Sequence, residues 1–506
     1  MSDGLRSWVE VRPGAYHDSV TLMRVSRRLT ERAGVTDAMA AMATGLNREV
    51  LERMGFEVPA EAGPGDLVVA IRAEDTAFDG ARHALDGLLH EAAHPAPADA
   101  AGGLGATAPA RTTATAAARV EASIALLSVP GPQVFPEAMD ALDAGLNVMI
   151  FSDNVPLDQE IALKETAARR GLIVLGPDCG TAVVGGAGLG FANAVEPGPV
   201  GMVAASGTGA QQLMCLLDAA GVGVSHVLGV GGRDLSRQVS GRSALAALAA
   251  LDADPATEVI LMVSKPPAPK VADLIREAAR RLDTPVIFAL PGAGDGEHGD
   301  LTRAAEETLE RLGRPVPQWP SWLAPAPEDG IARGSTTPGL RGLFAGGTLR
   351  DEAEAVIGDA LGWDLAAHGH SLVDFGDDAY TRGRAHPMID PTLRLAALAE
   401  RAADPSCGVL LLDVVLGYGA EPDPAAALAP AIEKALRDRD DLAVVVSLCG
   451  SRADPQGREQ QADALCRAGA AIFLSNAAAA RHAASLVRPG DGDGEPAARN
   501  ASRGAT

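Results

Sequence analysis

Seven short runs between Ile124 and Gly292 are branched and apolar at nearly every position: IALLSVP, NVMIFS, IVLG, VGMVAAS, HVLGVG, EVILMVS and PVIFALPG. Runs without polar alternation read as strands covered on both faces, the situation in parallel sheets. Helix-like segments separate most of them, which predicts a doubly wound α/β sheet. Residues 341–487 repeat the strand–helix pattern. Upstream, Trp8 to Arg12 reads as extended and Asp18 to Arg32 as amphipathic. Ala38 to Ala43 and Leu67 to Arg72 are short apolar runs, each followed by a helix-like stretch. Residues 8–92 therefore predict a small α+β unit.

Two seams break the pattern. The stretch 90–118 (HEAAHPAPADAAGGLGATAPARTTATAAA) is dominated by Ala, Pro, Gly and Thr and predicts a flexible linker. A Pro/Gly-rich seam at 315–339 predicts a second, and the Gly/Asp/Ala/Arg-rich tail from Arg488 predicts disorder. Four units follow: 1–92, 119–198, 199–314 and 340–487. The third and fourth share an internal repeat. SGTG at 206–209 pairs with GGTL at 346–349, and GVGGRDLS at 229–236 with DFGDDAYT at 374–381. The Ala-Ala-Leu…Asp-Pro turns at 246–255 and 396–405 match, each followed by an apolar strand. PVIFALPG at 285–292 pairs with AVVVSLCG at 443–450. Four matches in one order predict duplication of a single α/β module.

Composition narrows the function. Of 506 residues, 47% are hydrophobic and 22% charged, as in a soluble globular protein with a large core. Aromatics are 3%, too few for base-stacking platforms, and a net charge of −23 disfavours a phosphate backbone as partner. Neither nucleic acid nor membrane is expected as a partner. The N-terminus lacks a signal-peptide core and no window is long and apolar enough to span a bilayer, so a cytoplasmic location is expected. The five cysteines, Cys179, Cys215, Cys407, Cys449 and Cys466, are scattered without a CxxC pair, which indicates neither a disulfide frame nor a metal site. No flavin site is indicated either.

Candidate chemistry gathers at predicted strand ends, where open α/β sheets bind ligands. Ser206, Gly207, Thr208 and Gly209 join a buried strand to a helix start. Free N–H groups there favour an anion such as phosphate, and a plain N-cap turn is the equally weighted alternative. Gly176, Asp178, Cys179 and Thr181 follow the strand LIVL. Cys179 is a candidate for ligand contact or nucleophilic chemistry, with loop packing the alternative. Asp153 and Asn154 end another strand and fit either ligand contact or capping of the next helix. Gly232 and Arg233 lie in GVGGRDLS. Lys265 ends an apolar strand, where an ammonium needs a cleft or an anion. Arg384 and His386 stand in a compact block with Asp377 and Asp378. Paired arginines there would hold a carboxylate or phosphate, against the alternative of a surface ion-pair network. Asp413 ends LLLD in the fourth unit, where its repeat-mate is Val263.

The stretches DSVTLM, FSDN, GPDCGT, SGTG, GGRDLS, SKPP, DFGDDAYT, RAHPMIDPTLR and LLLDVVLGYG together resemble the FdrA family, from about Asp18 to Val487. The resemblance implies a Rossmann-like CoA-binding-type domain followed by two flavodoxin-like modules of the succinyl-CoA synthetase type, with the small α+β domain in front. It implies phosphate at Ser206, Gly207 and Thr208 and a CoA site near Gly176 to Thr181. Two departures stand out. The superfamily's phosphorylated histidine sits in a GHAGA-like loop, but residues 292–300 read GAGDGEHGD, with His298 in an altered setting. The glutamate that steadies that histidine falls at Lys265. No nucleotide-grasp domain is visible, so a phosphohistidine cycle by this chain alone is disfavoured.

Three functions remain open. One is acyl-CoA synthetase-like chemistry, with CoA as cofactor and ATP from a partner subunit encoded nearby. Another is the role of a subunit of oxamate carbamoyltransferase in allantoin and purine breakdown. There the SGTG helix would hold carbamoyl phosphate, while Lys265, Arg384 and Arg233 steady a small anionic acid. The last is a non-catalytic scaffold. An oligomer is expected in each.

Overall fold

The structure, a computed structural model, describes residues 5–93, 110–290, 300–323, 339–362 and 364–487. The first unit runs β1 (Leu5–Arg12), α1 (Ser19–Thr30), β2 (Val35–Met42), α2 (Gly45–Arg53), β3 (Leu67–Glu74) and α3 (Asp75–Ala93). Strand β3 lies between β1 and β2, antiparallel to both. Its run LVVAIRAE is almost wholly buried because both faces are covered. Leu22, Leu29 and Leu85 from α1 and α3 close one face; Leu51 from α2 and Phe56 close the other.

The second unit holds α4 (Thr113–Ala117), β4 (Ile124–Leu127), α5 (Gly131–Asp143), β5 (Asn147–Ile150), α6 (Leu157–Arg169) and β6 (Val174–Leu175). Its three strands are parallel in the order β4-β5-β6. A hairpin follows, β7 (Thr181–Val184) and β8 (Ala187–Gly190).

The third unit runs β9 (Pro197–Ala204), α7 (Gly207–Ala219), β10 (Val224–Gly229), α8 (Arg242–Asp252), β11 (Val259–Val263), α9 (Pro269–Ala279), β12 (Val286–Ala289) and α10 (Leu301–Arg311). The fourth runs β13 (Ser321–Trp322), β14 (Gly339–Phe344), α11 (Gly347–Leu361), β15 (Ser371–Asp374), α12 (Asp378–Thr381), α13 (Thr392–Ala403), β16 (Cys407–Val415), α14 (Pro424–Asp438), β17 (Ala443–Cys449), α15 (Arg458–Arg467), β18 (Ala471–Phe473) and α16 (Asn476–Val487). Their parallel strands are ordered β12-β11-β9-β10 and β18-β17-β16-β14-β15. In both, the second strand flanks the first and the third and fourth continue on the other side, a flavodoxin-like order. The four repeat anchors fall on matching elements: α7 with α11, the loops after β10 and β15, β11 with β16, and β12 with β17.

The two modules share a core. Met202, Leu213 and Leu217 pack in one cluster with Phe344, Leu349, Leu411 and Ala480. Helix α7 is buried from Gly209 to Asp218. Its two glutamines meet the other module's backbone: Gln211 Nε2 donates to Leu416 O (3.4 Å) and Gln212 Nε2 to Leu474 O (2.9 Å).

Three boundaries differ from the sequence reading. The sheets divide ahead of residue 198, because β7 pairs antiparallel with β10 and covers an edge whose backbone groups would otherwise be open. Helix runs into both ends of the stretch 90–118, through α3 and α4, while 94–109 lie outside the described residues. The start of the 315–339 seam is anchored, since half-burying two indoles outweighs the local Pro content. Trp319 Nε1 donates to Glu306, Trp322 Nε1 donates to Glu459, and β13 pairs with β18. Residues 324–338 and the tail from Arg488 lie outside the described residues.

Candidate functional site

The helix starts that the repeat makes equivalent meet head to head. Ser206 Oγ and Thr348 Oγ1 are 2.6 Å apart, one from each module. A side chain at Gly346 would begin 2.7 Å from Thr208 Cγ2, so only glycine lets α11 approach α7 this closely. Neither helix carries an acidic residue in its first turn. Among the described residues no acceptor meets the N–H groups of Gly207, Thr208, Gly347 or Thr348. Two positive dipole ends therefore meet in direct contact, with no acid of their own in the first turn of either helix.

The two starts are braced differently. Ser206 caps α7, its Oγ accepting from Gly209 N–H at 3.0 Å. The capping alternative is thus realised, and Ser206's hydroxyl is committed to Gly209 and Thr348 rather than free for a ligand. Gly209 is buried beneath it; Gly207 and Thr208 remain partly accessible. Gly346 has no side-chain cap. Instead the buried Asp413 carboxylate accepts from Ala345 N–H (2.7 Å) and Gly346 N–H (2.9 Å) and is held by Arg394 Nη2 at 2.9 Å.

Around this space stand groups of both signs. Lys265, 52% exposed, lies 3.9 Å from Asp351 Oδ2. A side chain on Gly347 would begin 2.7 Å from Lys265 Nζ and overlap Asp374 Oδ2, which puts an ammonium and a carboxylate at the α11 start. Burial pushes the Asp374 carboxyl up to about 6, against a hydrogen bond from Gly376 and the pull of Lys265. Thr181 Oγ1 donates to Phe191 O (2.8 Å) and sits beside Gly207.

The loops after β5, β6 and β10 supply a second wall. Asp178 is pushed up to about 7 by desolvation in the cleft and by the carboxylates of Asp153 and Asp378, with Arg233 and Lys265 opposing. Asp178 and Asn154 are two of the three described non-glycine residues with positive φ, the third being Ser240. Such backbone strain concentrates at functional loops. Gly232 lies beside the Asp178 carboxyl. Arg233 Nη2 donates to Val155 O (2.8 Å) and pairs with Glu160 at 2.9 Å, while its side chain stays 47% exposed. Glu160 in turn meets Lys164, which also holds Asp234 (2.7 Å). Asp153 and Asn154 do not cap α6, whose N-cap is Pro156 without a side-chain bond. They remain exposed at the cleft mouth.

Three expectations are corrected. Arg384 does not reach the anion space. Its side chain is 7% exposed, with Nη1 donating to Asn47 Oδ1 (3.0 Å) and Nη2 to Asp390 Oδ2 (3.2 Å), because a buried guanidinium needs partners close by. Cys179 is no accessible nucleophile: it is buried and its thiol is pushed up to about 12 by desolvation. Gly176 is buried, and its left-handed φ of 89° serves the contact with Ile150 O rather than a ligand. His386 does come near. It packs on the Phe191 ring (5.7 Å between centroids), and Nδ1 accepts from Met388 N–H at 3.3 Å. Burial, with Arg394, lowers it to about 4, so the ring is neutral at pH 7 with its proton on Nε2. His298 lies outside the described residues.

The sequence reading missed Gly347, Thr348, Asp374 and the Asp413–Arg394 brace as parts of one site. The signal was the pairing of SGTG with GGTL, which required only that duplicated helix starts be placed face to face.

The uncharacterized protein YahF of Escherichia coli (strain K12) is 36% identical over 504 residues, which are 92% of this chain and 96% of that one. The chain belongs to the YahF family. Two family profiles match parts of it: CoA-ligase over residues 343–486 and AllF, heavy metal-associated domain, over 5–103. The succinate–CoA ligase [ADP-forming] subunit alpha 2 of Archaeoglobus fulgidus is 26% identical over 200 residues, 38% of this chain and 68% of that one. Among solved structures, a dinucleotide-forming acetyl-coenzyme A synthetase 1 of Ca. Korarchaeum cryptofilum, with phosphate and ADP, covers 74% of this chain and 84% of its own at TM-score 0.28 and 16% identity. The fourth unit is thus a CoA-ligase module within a succinyl-CoA ligase-like chain.

A heavy metal does not fit the first unit. Residues 5–103 contain no cysteine, and the described residues hold no group of three metal-ligating side chains. CoA fits at one of two helix starts: α5 begins after Pro130 with neither a side-chain cap nor an acid in its first turn, whereas α6 carries Asp158 and Glu160 there, which oppose a diphosphate. No helix among the described residues is long and apolar enough to cross a membrane.

Proposed function

We propose that the chain is a subunit of an acyl-CoA synthetase-like enzyme, of the FdrA type, that handles an acyl or carbamoyl phosphate where α7 and α11 face each other. The observation that carries this is the head-to-head meeting of two helix starts, with Lys265 and Asp374 beside the second. A phosphoryl group between Gly207–Thr208 and Gly347–Thr348 would satisfy four N–H groups and both dipoles at once. Lys265 would then neutralise charge as the phosphate leaves. Under the ligase reading CoA enters past the loops at Asp153, Asn154, Asp178 and Thr181, and a partner subunit supplies the nucleotide.

A second reading has specific support from Lys265 and from the AllF description of the first unit. In it the chain serves an oxamate carbamoyltransferase of allantoin breakdown. The amide nitrogen of oxamate attacks the carbamoyl carbon, the C–O bond to phosphate breaks, and phosphate leaves between the helix starts. Asp178, poised near neutrality, takes the proton from the attacking nitrogen. Arg233 steadies the oxamate carboxylate, and the acidic wall accepts from the amide N–H groups.

The purified chain, combined with its partner subunits, distinguishes the readings. Oxalurate and phosphate formed from oxamate and carbamoyl phosphate select the transferase, whereas thioester formed from ATP, CoA and an acid selects the ligase. Lys265→Glu should cut the transferase at least about 100-fold. Failure of the wild-type chain to bind inorganic phosphate would remove both.

A further inference from the structure

We infer that Asn47, in the N-terminal unit, is a positioning residue that holds segment 376–391 against the cleft and thereby places Asp378 and His386. The inference rests on the cleft being the site proposed above. Asn47 is fully buried, and both amide hydrogens and its Oδ1 are engaged. Its Nδ2 donates to Met42 O (2.8 Å) within its own unit and to Gly383 O (3.0 Å) across the boundary. Its Oδ1 accepts from Arg384 Nη1 at 3.0 Å.

The contact is shaped for this one side chain. Gly383 is left-handed (φ 75°), and a side chain there would begin 2.6 Å from Thr44 Cγ2, so the segment's backbone lies directly on the start of α2. Arg384 carries the grip forward: its other nitrogen meets Asp390, whose Oδ1 accepts from Thr392 N–H at the start of α13. Both ends of 383–392 are thus set from one amide. Two residues beyond Arg384, His386 packs on Phe191, and Asp378 lies close enough to Asp178 to raise it. The charged groups facing His386 are Arg394 from α13 and Asp374 from β15. An amide that bridges two units and holds an arginine two residues from a cleft histidine does more than fill the boundary, because removing it strands Gly383 O and a buried guanidinium.

The test is Asn47→Ala in the full-length chain, followed by NMR titration of histidine labelled at Cε1, with His386 assigned through His386→Gln. In the wild type His386 titrates near 4. In the variant it should rise by one pH unit or more as the segment loosens and water reaches the ring. Inorganic phosphate affinity should stay within about two-fold, since the helix starts are untouched, while kcat of the transfer falls about ten-fold or more. An unchanged His386 titration together with unchanged kcat overturns the inference. Should Asn47→Ala fail to fold, Gly383→Ala keeps every hydrogen-bonding group but pushes the segment off Thr44. It should move His386 in the same direction, and a wild-type titration there is equally fatal. If the wild type binds no phosphate, the reading of the cleft falls, while the His386 titration still decides the role of Asn47.

Discussion

The two flavodoxin-like modules share their strand order and the position of their first helix, yet they spend charge differently. In the fourth unit the third strand carries, two residues before its end, the buried Asp413, which holds two backbone N–H groups ahead of α11 and is locked by Arg394. In the third unit the equivalent strand β11 ends in Val263, and two residues on stands the half-exposed Lys265. One copy uses its strand end to fix a backbone; the other uses it to present a cation. Duplication supplies two facing helix starts, and divergence after duplication makes the space between them chemically lopsided. A symmetric pocket would bind a symmetric ion, whereas this one has a braced side and a reactive side.

The largest break in that comparison is Asp413→Ala. It leaves the Arg394 guanidinium buried without its carboxylate and frees two N–H groups, so about 3–5 kcal/mol of stability should be lost. Ser206→Ala, the matching brace in the other module, should cost about 1 kcal/mol, the usual price of a cap. Urea unfolding of both variants checks this. Equal losses would mean that the two helix starts are held alike and that the asymmetry is confined to the surface.

Much of this architecture is legible from the order of apolar runs, and the duplication from four anchors that fall on equivalent elements. Period and composition carry that information locally. What the sequence conceals is who faces whom. Arg384 and His386 are two residues apart, yet one is tied to Asn47 in the first unit and the other rests on Phe191 just after β8. No local pattern encodes either contact. Cys179 misleads for a related reason: a thiol in a glycine-rich loop reads as accessible, but it packs on the ends of β5 and β10, and desolvation makes it inert. The GPDCGT motif announces the loop; only packing says that Asp178 faces the cleft and Cys179 the core.

A smaller effect separates the two modules at their glycines. A Gly347→Ala side chain would collide with Asp374 Oδ2 and stand 2.7 Å from Lys265 Nζ, whereas one at Gly207 would meet Thr181 Oγ1 at 3.2 Å. Gly347→Ala should therefore weaken inorganic phosphate binding about ten-fold, near 1.4 kcal/mol, and Gly207→Ala by about three-fold or less. Isothermal titration measures both. The reverse order would place the phosphate against the third unit alone and leave α11 as scaffolding.

The smallest effect is electrostatic and isolates the reactive side. Sulfate is a dianion across the accessible range, so its affinity reports the protein's protons and not its own. Below pH 6 the Asp374 carboxyl holds a proton, because burial has raised it, and of the two carboxylates beside Lys265 only Asp351 then opposes its pull on the anion. As pH rises through about 6 the carboxylate forms beside Lys265 and cancels part of its field, so sulfate binding weakens, by roughly five-fold between pH 5 and 7.5. Asp178 adds a second decline nearer 7. Asp374→Asn should remove the first decline and leave the second, since the amide stays neutral throughout. Retention of the full pH dependence in Asp374→Asn would separate Lys265 and Asp374 from the anion, and with them the division of the cleft into a braced and a reactive side.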